Sequence, residues 1–293
     1  MNNKSFLPLH KIISTVLFAL AAVMAGAYFL ALKFDFDFDI AHFSTDSLAF
    51  LLFAIAAGVA ALLAIVLTLV CPKNATLSAV PAPRPLSLFG GMLSAIVSVV
   101  IFATEIKSSR EAIRVAKETL GKAQPVLYMQ LIGSVTILAL GAVIVLYCIN
   151  SQRGKASHKI AAVLAPLSIN LTMFARYFDF SQPLNGPIRN IAIMVHCSVL
   201  LFLLSEARLA FGERITARFY IFANSVAASV GLGFSLGGVI YKITALSSAT
   251  PGESITRLAL YIAVGCVAID RLLSLPKVLT ETKVEPEAEA ETK

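Results

Sequence analysis

Four acidic side chains crowd one short stretch of this chain. In KFDFDFD, residues 33–39, Asp35, Asp37 and Asp39 alternate with phenylalanines, and Asp46 follows. Counted from Asp35, the acids fall where a helix–loop–helix calcium site places oxygen ligands at loop positions 1, 3, 5 and 12. That loop also needs glycine at position 6 for its sharp turn. Here the residue is Ile40, so calcium is disfavoured and no metal site is expected. Alternation with period two instead sets Phe34, Phe36 and Phe38 on one face and the aspartates on the other. The expectation is an acidic lip whose rings face an apolar surface.

A second polar stretch, RYFDFSQPLNGPIRN at residues 176–190, gathers Arg176, Asp179, Gln182, Asn185 and Arg189 between two apolar runs. Its Pro-Leu-Asn-Gly-Pro core is a turn signal. Pro187 suits the first turn of a following helix, whose free N–H groups, with Arg189, would favour an anionic group. Alternatively, Arg176 pairs with Asp179 in an ordinary loop. Three polar residues interrupt the apolar runs themselves: Asn170, one turn after Pro166, His196 and Asn224. Polar groups at such depth usually face a bundle interior, as helix–helix contacts or as part of a solute path. The candidate solute-binding set is therefore Asn170, Arg176, Asp179, Asn185, Arg189, His196 and Asn224.

Other patterns speak of packing. Ser225, Ser229, Gly233 and Gly237 recur every four residues, a small-residue stripe that lets a second helix approach closely. The partner helix could belong to this chain, to another copy, or to another membrane protein. Asp270 and Arg271 lie near the end of the last apolar run, where snorkelling to the interface would satisfy them. There is no HExxH, GxSxG or P-loop, so no enzyme class is indicated and no cofactor is expected. Cys71, Cys148, Cys197 and Cys266 form no CxxC pair, which argues against a thiolate metal site or disulfide framework.

The elements that must position these residues are membrane helices. The chain has 293 residues, 58% hydrophobic and only 14% charged, with mean hydropathy +0.83. Soluble domains carry roughly 25% charged residues. Eight apolar segments, at about 11–32, 48–70, 86–104, 126–149, 160–176, 188–205, 219–241 and 256–275, match the ~20 residues needed to cross a bilayer. Only closed hydrogen bonding survives in lipid, so an all-α bundle follows, occupying residues 1–278. The first segment, with Lys4, Lys11 and Ala25-Gly26-Ala27, imitates a signal peptide, but its apolar run to Leu32 is long enough to stay as a span. The net charge of +7 then reflects loop bias rather than nucleic-acid binding. With the N-terminus inside, fourteen of the 24 Lys and Arg residues fall inside and ten outside, placing both termini in the cytoplasm; short loops and the lack of targeting signals point to a bacterial inner membrane. Five of those ten lie in one loop, residues 105–125. There Ile106, Ile113 and Leu120 repeat every seven residues, predicting an amphipathic helix over 105–121 lying at the outer interface, or else extending span three. Tyr28, Tyr128, Tyr147, Tyr177, Tyr220 and Tyr241 fall near span ends, as an interfacial belt would require.

ALKFDF at 31–36 and ARYFDF at 175–180 echo one another, which suggests two four-span halves. The tail, residues 279–293, is acidic and poor in aliphatic residues, the composition of a disordered segment. The sequence favours a transporter-like protein handling a small solute between spans five, six and seven. The other reading is a non-enzymatic sensor, scaffold or subunit that meets a partner, or a second copy, through the span-seven stripe.

Overall fold

The structure is a computed structural model that describes residues 3–37, 39–77, 84–149, 156–178, 186–212, 214–245 and 252–281. Phe38, Asp179, Gln182, Asn185 and nearly all of the acidic tail lie outside the described residues. Among the described residues, eight helical segments are long and apolar enough to cross a membrane. They comprise α1 (Asn3–Leu30), α2 (Leu48–Val70), α3 (Pro85–Leu120), α4 (Pro125–Ile149), α5 (Ala156–Tyr177), α6 (Pro187–Ala210), a seventh span made of α7 (Ala217–Val226) and α8 (Leu232–Ala245), and α9 (Ile255–Glu281). The protein is a multi-pass helical bundle. Its surface carries the side chains lipid requires: Leu51, Ile55, Leu62, Leu69, Met92 and Ile96 are all exposed.

Helix boundaries follow local chemistry. The Ser47 hydroxyl accepts from the Phe50 N–H at 2.9 Å to cap α2, as N-cap serines do. Pro85 and Pro187 open α3 and α6, where a missing N–H costs nothing. Arg218 donates to the Cys71 and Leu69 carbonyls, closing the end of α2. Two short antiparallel ladders tie the loops. Phe36–Asp37 (β1) pairs with His42–Phe43 (β2), and Thr76–Leu77 (β3) pairs with Ile215–Thr216 (β4). The second ladder joins the loops after spans two and six, on the side where the chain begins. The last residues of spans one, three, five and seven lie on the far side.

The acidic lip is thus a hairpin. Asp37 accepts from the N–H groups of Asp39 and Ile40, and Asp35 accepts from the Ser47 hydroxyl at 2.5 Å. These carboxylates hold the turn's own backbone and the α2 cap. Phe36 packs on Phe43, within an aromatic group that reaches Tyr28, Phe50, Phe53 and Phe234. Phe34 does not join it: its ring is exposed beneath the Lys33 ammonium.

α9 is the hub. Over its spanning window 83% of residues are buried, against 28% for α2. It packs along α3, α8 and the irregular middle of span seven. At Gly90 a Cβ would come 2.6 Å from the Ala263 carbonyl oxygen, so α3 and α9 meet backbone to backbone. The two sequence halves interleave, with span three against span eight and span one against span seven.

Several expectations need correction. Residues 105–120 do not form a separate interfacial helix; α3 runs unbroken from Pro85 to Leu120. The Ser134 hydroxyl of α4 donates to Glu105, so the later turns of α3 continue beside the opening turns of α4. Ile113 on the heptad stripe is buried, while Leu120 at its end is exposed. Pro166 does not break α5. Irregular backbone lies instead in span seven, where Ala227–Gly231 widens to a π-helical turn, and at the end of span one, where Ala31–Asp35 does the same. The span-seven stripe is no outward face. A Cβ at Gly237 would sit 2.5 Å from the Ala25 carbonyl oxygen, and Gly233 packs equally tightly on Met24. Span one of the same chain therefore fills the Gly233 and Gly237 part of the stripe, where another copy or another membrane protein was the alternative. Tyr28, Tyr220 and Tyr241 are buried, not part of an interfacial belt.

Candidate solute site

The far-side site starts from a spacing on α9. Arg257 and Tyr261 stand one turn apart on one face of α9, and Glu253 lies just before its first residue, Ile255. Thr172 and Arg176 repeat the spacing on α5. Glu105 lies twenty residues into α3, about 30 Å from its start, a full hydrocarbon thickness away from Pro85. Packing α3, α5 and α9 together therefore brings these groups to one level.

They meet as two ion pairs. Arg257 Nε donates to Glu105 Oε1 at 2.7 Å, and a second guanidinium nitrogen bonds the other carboxylate oxygen. Such a forked pair is the strong form of the contact. Arg257 Nη1 donates to the Thr172 hydroxyl at 3.0 Å. Arg176 Nε donates to Glu253 Oε1 at 3.0 Å. Burial pushes the Glu253 carboxyl up, but Arg176, with Arg257 behind it, pulls it below the usual carboxylate range. Glu253 is therefore held ionised.

These pairs line a cavity of about 250 Å³, bounded also by Ser108, Ser109, Gln130, Ala175 and Ser254. It belongs to spans three, four, five and eight. Its volume lies just below the ~300–1,000 Å³ of drug-sized pockets. The two pairs are oriented oppositely to it. In one, Glu105 is the more open member (25% exposed against 9% for Arg257). In the other it is Arg176 (19% against 4% for Glu253). The cavity wall thus presents one anion and one cation, each backed by a buried counter-ion.

One turn deeper, the Tyr261 hydroxyl and His196 Nε2 lie 2.8 Å apart, and His196 Nδ1 lies 2.6 Å from the Ala192 carbonyl oxygen. A carbonyl can only accept, so Nδ1 carries the proton; in the neutral ring Nε2 then accepts from Tyr261.

A second polar layer lies toward the side where the chain begins. Asp270 accepts from the Arg84 N–H at 2.9 Å and from the Ser87 hydroxyl. Glu206 accepts from the Tyr220 hydroxyl at 2.6 Å and faces Arg271 Nε at 3.6 Å. Both members of that ion pair are fully buried. Asp270 and Arg271 therefore do not snorkel; each binds another span.

Of the sequence candidates, Arg176 lines the cavity. His196 sits beneath it through Tyr261. Arg189 is buried at the start of α6, its guanidinium 5.6 Å from the centre of the Tyr177 ring. Asn170 is half-buried on α5, away from the cavity wall. Asn224 belongs to the other layer, donating to the Tyr220 carbonyl oxygen at 2.8 Å. Of spans five, six and seven, only span five lines the cavity. Sequence reasoning passed over Glu105, Glu253 and Arg257. The available signal was charge at the far-side mouth: Glu105 is the first charge after span three's apolar run, and Arg257 interrupts the first turn of span eight.

No family model matches the chain, and no curated protein or solved structure matches it. The functional reading rests on this geometry.

Proposed function

We propose that this protein binds a small polar solute in the far-side cavity and acts on it in a transporter-like way. The observation that carries the reading is the cavity itself, walled by two oppositely oriented Arg–Glu pairs at the mouth of a membrane bundle. Ionisable side chains of a membrane bundle that face a cavity mark solute paths by default. Five further polar side chains around the cavity, Ser108, Ser109, Gln130, Thr172 and Ser254, supply hydrogen bonds of both senses. The π-helical turn in span seven adds the kind of irregular backbone found where membrane helices move or open.

The Lys and Arg distribution supports an orientation with both termini cytoplasmic and the cavity facing outward. Asp37→Cys tests it: an impermeant thiol reagent should reach that residue from outside intact cells only, and labelling from the cytoplasm overturns the assignment. The functional reading is tested by a solute screen on purified protein in nanodiscs, read as thermal stabilisation and followed by uptake into proteoliposomes. Stabilisation by a solute, abolished by Arg176→Gln, is the expected result. Stabilisation without uptake would favour a membrane sensor or complex subunit over a transporter.

A further inference from the structure

We infer that the solute is a zwitterion, carrying an anionic and a cationic group a few bonds apart, as an α-amino acid or a betaine does. The inference rests on the solute-site reading and narrows it. Two glutamates and two arginines line the cavity, and their formal charges cancel. A net anion entering the cavity would meet Glu105, and a net cation would meet Arg176, the two most open charges of the wall. Either would add an uncompensated charge to a site where each fixed charge already has its counter-ion, and burying unpaired charge is expensive. A solute with both charges adds none.

The arrangement of the open members supplies the recognition. Arg176 offers a guanidinium to a carboxylate, the geometry that group matches best. Glu105 offers carboxylate oxygen to an ammonium. Each is held from behind, Arg176 by Glu253 and Glu105 by Arg257, which also fixes the Thr172 hydroxyl. These supports lock the side chains before a solute arrives, so less ordering remains to be done on binding. A polyol would be served by Ser108, Ser109, Gln130, Thr172 and Ser254 alone. It gives no reason for two ion pairs pointing in opposite directions.

The test titrates wild-type protein in nanodiscs with four classes of probe at equal concentration. Glycine, alanine, glutamine and glycine betaine are the zwitterions. Propionate carries only the anion, propylamine only the cation, and glycerol neither. Stabilisation by at least one zwitterion, at tenfold or more lower concentration than propionate, propylamine or glycerol needs, is the expected result. Preferential stabilisation by propionate, propylamine or glycerol overturns the zwitterion and leaves the solute site standing. No stabilisation by any probe, with none from the wider solute screen, overturns both. Because the ligand is varied and not the protein, the outcome does not depend on a variant folding. Glu105→Gln then sharpens it: where that variant folds, the preference should shift at least fivefold from alanine toward propionate, since the open anion is gone. An unchanged ratio of the two would contradict the assigned role of Glu105.

Discussion

The two polar layers of this bundle use the same chemistry to opposite ends. Both contain an Arg–Glu pair, both are threaded by α9, and both draw hydroxyl groups from neighbouring spans. The layer on the side where the chain begins is closed: Arg271 and Glu206 are fully buried, and Asp270 is spent on Ser87 and the Arg84 N–H. The far-side layer surrounds a cavity and leaves one member of each pair partly open. A sealed ion pair cannot trade partners, so it can only hold helices together. An ion pair with one open member can take a ligand without being dismantled. The first layer is therefore read as a clamp between spans three, six, seven and eight, and the second as the working site.

The difference can be broken most forcefully at Arg271. Arg271→Met should leave Glu206 buried without its cation, at a cost of about 3–5 kcal/mol. Thermal unfolding in nanodiscs would show it, and a near-neutral result would remove the clamp from the account. Asp270→Asn, which weakens two charge-assisted hydrogen bonds, should cost about 1.5–3 kcal/mol by the same measurement. Arg176→Gln should cost less, about 1–2 kcal/mol, because the glutamine amide can still donate to Glu253 and the Arg176 side is partly open to water. Its main effect should be loss of solute stabilisation. If Arg176→Gln destabilised the fold as much as Arg271→Met, the two layers would not differ as described.

The smallest effect is one of pH. The folded-state value of Glu253 is lowered relative to an ordinary glutamate near ~4.3. Its contribution to stability is thus fully present above that value and is lost as pH falls through the lowered one. Wild-type melting temperature should drop over that acid range. Glu253→Gln should melt lower at pH 7, show a shallower acid limb, and converge on wild type at the acid end. Parallel curves would mean that Glu253 is not held ionised by its neighbours.

Much of the fold was legible because hydrophobic length is a local property. Each of the eight spans announces itself in about twenty residues, and the four-residue repeat of Ser225, Ser229, Gly233 and Gly237 announces a close helix contact. What the repeat could not say was which helix fills it. Span one does, and chain order gives no hint of that. The 105–121 heptad was legible as a helix, but its continuity with span three depends on packing beside α4. The site was less legible for the same reason. Arg176 stood out because it lies among other polar residues. Glu105 and Arg257 are 152 residues apart, so only the packing of span three on span eight makes them a pair. His196 was visible as a lone polar group, and its partner Tyr261 was hidden in an ordinary apolar run.

Accessibility tests the contrast between the layers most directly. Ser108→Cys and Ser87→Cys, each in a background with the four native cysteines replaced, place one thiol in the cavity wall and one in the clamp. In sealed vesicles a small impermeant thiol reagent on the side opposite the termini should modify Ser108→Cys within minutes. Ser87→Cys should stay unmodified from either side until the protein is denatured. Prompt modification of Ser87→Cys in the folded protein, or protection of Ser108→Cys without added solute, would contradict an open working site above a sealed clamp.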